Sequence, residues 1–222
     1  IGSAKWDRQY PWLRQALVPS EGVSQGSVRL SRPLPLDLPG GSEVFVPALI
    51  RGVTIRNLEL TQHVPDMTPA QAKGVYENIA PQYAIDGIRL DWTADVRSED
   101  VAIRFAGRHP VAVENSWAAQ LSRLHIDGAW NKGAGGHGYV RFARTYASRL
   151  TDSRIDNIRH LTFQWSAADN VVENCFIGAD VNFHGGFSHH NRVSASQIKP
   201  PPGHPWGQLT IMPEGGEAGA PM

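Results

Sequence analysis

Cysteine is almost missing from these 222 residues, and so are net charge, long apolar runs and helix-forming patterns. The single cysteine, Cys175, has no partner in the chain, which excludes an intrachain disulfide and leaves the redox compartment undecided. Lys plus Arg and Asp plus Glu both total 21, so the formal charge is zero. That balance gives no footprint for nucleic acid or an anionic membrane, and any charged recognition must be local. No apolar run approaches the roughly 20 residues that span a bilayer. The chain starts at Ile1 with neither Met nor a signal peptide. This fits a mature form or a longer protein whose N- or C-terminal portion is missing. Helix is scarce; the best candidate is 68–79, where Thr68-Pro69 supplies an N-cap and a proline at the first helical position.

What the chain does have is seven Trp, 22 Gly, 16 Pro and a repeat. Gly138-Tyr139-Val140-Arg141-Phe142-Ala143 recurs 21 residues later as Arg159-His160-Leu161-Thr162-Phe163-Gln164. It recurs again 20 residues further on as Ala179-Asp180-Val181-Asn182-Phe183-His184. Each copy alternates as a strand does, with an aliphatic residue and then Phe two positions later. Val101-Ala102-Ile103-Arg104-Phe105-Ala106 reads as an earlier copy, 37 residues upstream, with a loop insertion in between. A second set interleaves: Ile126, Ile155, Ile177 and Ile198, each preceded at five residues by Leu121, Leu150, Val172 and Val193. Weaker copies of the pattern sit at 52–60 and 85–92.

Two strand sets drifting together at about 21 residues predict an all-β right-handed parallel β-helix, a solenoid with loop insertions. The connections are too short for βαβ crossovers. Residues 46–212 are expected to form the solenoid. Residues 1–45, with Trp6, Trp12 and Pro33-Leu-Pro-Leu-Asp-Leu-Pro-Gly-Gly41, read as an irregular segment covering the first coil, and 213–222 as a tail. Phe142, Phe163 and Phe183 should stack inside, and Cys175 should lie in an internal column between Ser153 and Ser196. Asn170, Asn174 and Asn191 read as turn or ladder asparagines.

The same register creates outward columns: Ala102/Tyr139/His160/Asp180, Arg104/Arg141/Thr162/Asn182 and Ala106/Ala143/Gln164/His184. A merely solvated strand face would carry Thr, Ser, Lys and Glu, whereas this one gathers Tyr139, His160, Asp180 and His184, groups suited to proton exchange. Arg141 and Arg104 could grip a carboxylate through two parallel hydrogen bonds. Trp130, Lys132 and His137 belong to the Gly-rich loop 128–138 that should border a groove over this sheet, and Gln164 and Asn182 would add contacts to substrate. Trp165 could stack on a sugar, or turn inward. In the second set Asp127 stacks on Asp156, a pair that repels unless Ca²⁺ or a nearby arginine compensates. His184, His189 and His190 lack a third well-spaced ligand, so no zinc site is expected.

The repeat over roughly 50–212 resembles the pectin-lyase-like parallel β-helix superfamily, with its pectate and alginate lyases, polygalacturonases and phage tailspikes. Gly136-His137-Gly138 is similar to the Gly-His-Gly of polygalacturonases, although the Asn-Thr-Asp and paired Asp motifs of that family are missing. The resemblance implies a secreted or cell-surface protein that acts on an extended polysaccharide or oligosaccharide, most simply by β-elimination from a uronate polymer. In that chemistry Arg141 would neutralise the carboxylate, His160 or His184 would be the base, Tyr139 the acid, and Asp180 would orient His160. The alternatives are a glycoside hydrolase on the same fold and a non-catalytic carbohydrate-binding or spike-type module, the latter a homo-oligomer such as a trimer.

Overall fold

The computed structural model describes residues 14–212. The expectations for Trp6, Trp12 and the tail 213–222 therefore lie outside the described residues. Within them the chain is nearly all-β, and apart from the hairpin Ser20–Ser24/Ser27–Leu30 its paired strands run parallel in two curled sheets. One sheet has eight strands and the other ten, and from Ile50 onward the chain passes from one to the other and back. One such passage is a round, and each strand pairs with its counterpart in the next. Tyr139–Tyr146, His160–Gln164 and Asp180–His184 are neighbours, in the register Tyr139↔His160↔Asp180 and Phe142↔Phe163↔Phe183. The phenyl rings stack with centroids 5.5 and 5.4 Å apart. Ile126, Ile155, Ile177 and Ile198 align likewise, as do Leu121, Leu150, Val172 and Val193. The expected last strand is present as Leu209–Met212, paired with Asp180–His184.

Tight corners make so short a repeat possible. At one corner of successive rounds Asn57, Asp100, Arg123, Asp152, Asn174 and Ala195 all have φ between 47° and 56°. This left-handed region is most accessible to Asn, Asp and Gly, which explains the polar residues that punctuate the repeat. The residue after each bend can close a gap in the backbone ladder. Ser153 Oγ accepts from Leu124 N–H, and Ser196 Oγ from Cys175 N–H. At the preceding corner Asn170 and Asn191 offer their Oδ1 atoms to Ser148 N–H and Asn170 N–H. Cys175 thus sits where expected, buried between Ser153 and Ser196, and burial pushes its thiol pKa up.

Three expectations fail. First, Arg97–Ala106 lies in the ten-stranded sheet and pairs with Thr54–Thr61 and His125–Ala129, not beside Tyr139–Tyr146. The true neighbour of Tyr139–Tyr146 is Val111–Trp117, with Val113 beside Phe142. Hence Ala102, Arg104 and Ala106 leave the outward columns. Phe105, at φ 49°, turns away from the core to pack on Trp130. Second, 85–92 supplies Ile88–Asp91 to the eight-stranded sheet and so belongs to the first strand set. Third, the helix shrinks to Pro69–Ala72. Gln71 Oε1 does accept from Thr68 N–H at 2.6 Å, but Gly74 at φ 68° turns the chain out of helical geometry. The described part of the N-terminal segment also runs along the side of the rounds: Gln15 meets Ser166, Asn115 and Tyr146, and Arg32 pairs with Asp169.

Candidate functional site

The outward face of the eight-stranded sheet gathers the titratable groups, but it is covered and not an open groove. Tyr139, His160, Thr162, Gln164, Asp180 and Asn182 are each 4% exposed or less. One edge holds a buried chain of polar groups. His160 Nδ1 lies 2.6 Å from Asp180 Oδ1, and His204 Nε2 approaches the same oxygen at 3.0 Å. His204 Nδ1 in turn meets Tyr76 Oη at 2.5 Å. The Trp206 indole packs edge-on against His160, with centroids 4.3 Å apart. The half-buried Arg159 places its guanidinium 4.9 Å from the Trp206 ring and 6.0 Å from that of Tyr139.

These groups come from distant parts of the chain. His160 and Asp180 are register partners on adjacent strands. Tyr76 comes from the excursion between the first two rounds, and His204 and Trp206 from the loop before the last strand. The repeat brought His160, Tyr139 and Asp180 together and carries Arg159 at the head of the His160 copy without singling it out; it held no signal for Tyr76, His204 or Trp206. Only the run Lys199-Pro-Pro-Pro-Gly-His-Pro-Trp206, too rich in proline to continue the strand ladder, marked that loop as special.

Burial would raise the pKa of Asp180, but hydrogen bonds from His160 and His204 outweigh it and hold the carboxyl at about 2. Burial pulls His160 down despite Asp180. The pair is therefore a neutral imidazole donating Nδ1–H to a carboxylate, which leaves Nε2 as its basic nitrogen. Burial first, and Asp180 second, raise Tyr76, which stays a phenol and donates to His204. Asp180 Oδ2 has no hydrogen-bond partner among the described residues.

At the other end of the face Arg141 is already engaged. Its guanidinium meets Glu114 at 3.1 Å and lies over the Trp165 ring at 4.7 Å. Arg144 joins the same carboxylate at 3.7 Å, and Arg89 at 3.1 Å. Trp165 therefore faces outward, and its indole packs where a Cβ on Gly185 would stand, 2.2 Å away. His184 is half-buried at this end of its strand. His109 lies behind Tyr139, accepting its N–H at 3.2 Å, and burial, helped by Arg141, drives its pKa to about 3.

The remaining sequence candidates are engaged in packing, ion pairs and hydrogen bonds within the protein. Arg104 sits on the other sheet, 2.8 Å from Glu59. Trp130 is buried, with its indole N–H on Gln62 O at 2.8 Å, so it offers no stacking surface. Lys132 is buried too; its ammonium bolts Ala72 O at 2.7 Å to Asn157 O at 3.2 Å, and burial lowers its pKa to about 8. His137 Nδ1 meets Asn78 Oδ1 at 3.0 Å. Gly138 is explained by packing: its φ is 76°, and a Cβ would stand 2.6 Å from Lys132 Cγ. Asp127 and Asp156 are stacked as expected; Arg154 answers Asp156 at 2.7 Å, and Asn157 answers Asp127. No group of three or more His, Cys, Asp or Glu able to hold a metal occurs among the described residues, and no described helix is long and apolar enough to cross a membrane. Two shallow depressions of about 500 and 550 Å³ lie on the ten-stranded sheet, and neither reaches the His160 cluster. Comparison with protein families, curated proteins and solved structures yields no match to this chain.

Proposed function

We propose that the chain is a right-handed parallel β-helix of the pectin-lyase-like kind, and that it cleaves an extended uronate-containing polysaccharide by β-elimination. The carrying observation is the His160 imidazole held by the Asp180 carboxyl at 2.6 Å, next to the Arg159 guanidinium and the Trp206 ring. Elimination removes the proton α to the uronate carboxylate and expels the neighbouring sugar oxygen at C4. His160 Nε2 takes that proton, the electron pair forms the C4–C5 double bond, and Tyr139 protonates the departing oxygen. Asp180, steadied by His204, positions His160 and stabilises the imidazolium formed. Arg159 neutralises the substrate carboxylate, the part first read onto Arg141, because Arg141 is held by Glu114. Trp206 offers a face on which a sugar ring can stack.

A hydrolase fits less well. That chemistry usually needs two carboxylates about 5–9.5 Å apart. Asp180 and Glu114 are separated by three strand spacings and four residues, roughly 19 Å. The test is incubation of the whole chain with uronate polymers while following the ultraviolet absorbance of unsaturated products. His160→Ala and Arg159→Ala should abolish the signal, whereas products without it point to hydrolysis. If no polymer in the panel is cleaved, the enzymatic reading falls.

A further inference from the structure

The middle of the same face carries a second, chemically different feature. Thr162 and Asn182 are register partners, and Gln164 lies one outward row further along the strand. All three are 3% exposed or less. Thr162 Oγ1, Gln164 Oε1 and both amide atoms of Asn182 have no hydrogen-bond partner among the described residues, and neither does Asp180 Oδ2 beside them. A buried polar atom left unpaired has lost its bonds to water without replacement, and native interiors rarely leave such atoms unexplained. Here five occur on two adjacent strands, while the internal Ser and Asn ladders of the same rounds are paired.

The chemistry of the group narrows what would pair with it. It presents a hydroxyl, two amide oxygens and an amide NH₂, so donors and acceptors are mixed, and the cation in register with it, Arg141 beside Thr162, is already held by Glu114 at 3.1 Å. A carboxylate or phosphate would find too few donors there, and a cation would lack charge compensation in Thr162, Gln164 and Asn182. A sugar hydroxyl, both donor and acceptor, matches each position. We propose that Thr162, Gln164 and Asn182 form a subsite for the hydroxyls of a neutral sugar unit adjacent to the unit held at His160 and Arg159. This rests on the reading of the face as a polysaccharide site and adds to it: the substrate presents hydroxyls, not a carboxylate, one position from the reacting bond. Entry requires the cover to shift; at the neighbouring His160 edge that cover includes Trp206 and His204, from a loop whose other residues are mostly exposed.

The test uses the whole chain with Thr162→Val and Asn182→Leu, substitutions close in volume that delete the unpaired atoms. Stability is read by thermal melting, and binding by calorimetry with neutral and uronate-containing oligosaccharides. If the atoms are kept for a ligand, each variant melts higher, by about 2–4 °C per kcal/mol relieved, while oligosaccharide affinity falls at least tenfold. Variants that melt lower and bind as wild type does overturn the subsite, and unchanged turnover would then leave the lyase reading standing. Loss of binding in the variants of a protein that never releases unsaturated product supports the subsite and removes the lyase. A wild type that binds no oligosaccharide of the panel overturns the ligand class.

Discussion

The outward faces of the two sheets share one repeat and one strand spacing, yet they treat polar groups in opposite ways. On the ten-stranded sheet the cations pair with acids in the open: Arg104 with Glu59 at 2.8 Å, Arg123 with Asp100 at 2.7 Å, Arg149 with Glu173 at 3.0 Å. Those arginines are 41–50% exposed, and water can take the place of any partner. On the eight-stranded sheet the polar groups are buried, some in tight chains such as Tyr76–His204–Asp180–His160, others, such as the Asn182 amide, without hydrogen-bond partners among the described residues. Solvation alone explains the first face. The second keeps polar atoms where apolar ones would cost less, which is what a site for chemistry or recognition requires.

The sharpest way to break this contrast is activity. On a uronate polymer, Asp180→Asn should slow turnover by roughly 10²–10⁴, and His160→Ala by as much, the usual worth of a positioned acid or base. Asp180→Asn should also alter the pH profile, because the base then lacks the carboxylate that stabilises its protonated form. Arg154→Ala on the other sheet should leave kcat/KM unchanged. Equal losses on both faces would end the distinction between them.

Phe163→Ala tests the register on which both faces rest. The ring lies between Phe142 and Phe183 and is fully buried, so its removal should cost about 3–5 kcal/mol in urea unfolding. A loss below about 1 kcal/mol contradicts the stacking.

Acid titration separates the faces as well. His109 is held neutral by burial, with its pKa lowered from 6.5 to about 3, and His160 is lowered too. Between pH 6.5 and 3 the unfolded chain binds a proton at His109 that the native chain refuses, and below 6.5 His160 acts in the same direction. Their stabilising contribution is therefore complete above 6.5 and declines as the pH falls. Asp180 has a depressed pKa, so its contribution is lost only as pH falls from about 4 through about 2. The urea midpoint should already drop between pH 7 and 5, and His109→Gln, which can still accept Tyr139 N–H, should flatten that drop. A midpoint constant down to pH 4.5 contradicts the buried neutral imidazoles.

Where the sequence could be read, it was the repeat that spoke. Three copies with Phe in phase fixed the pairing of His160 with Asp180, because a one-residue slip would turn every side chain to the other face. The 101–106 segment misled because aliphatic-x-Phe alternation is common to any half-buried strand, and nothing in it reveals that Phe105 bends out at φ 49°. Trp130 and Lys132 looked like ligand groups because residue type does not report burial. Their partners, Gln62 O and Ala72 O, are backbone atoms of a non-repeating excursion. Tyr76, His204 and Trp206 were illegible for the same reason: connections between strands obey no period, and their contacts with the sheet exist only after folding.

The smallest expected effect sits on the solvated face and tests whether that face is as passive as its exposure implies. Arg123 occupies a left-handed corner at φ 52°, pairs with Asp100 and is half exposed. Arg123→Ala removes the ion pair and keeps the Cβ that strains the corner, so it should lose no more than about 1 kcal/mol, and less in high salt. Arg123→Gly removes the same pair but also the Cβ. Relief of about 1–2 kcal/mol at a left-handed residue is partly offset by the extra freedom of the unfolded chain, about 0.5–1 kcal/mol. Glycine should therefore be more stable than alanine by up to about 1.5 kcal/mol, and salt should not change that difference, since the ion pair is missing from both. Urea midpoints at low and high salt read both quantities. If alanine loses more than about 3 kcal/mol, beyond what an exposed pair can supply, the ten-stranded face is not merely solvated and the contrast between the two sheets fails on that side.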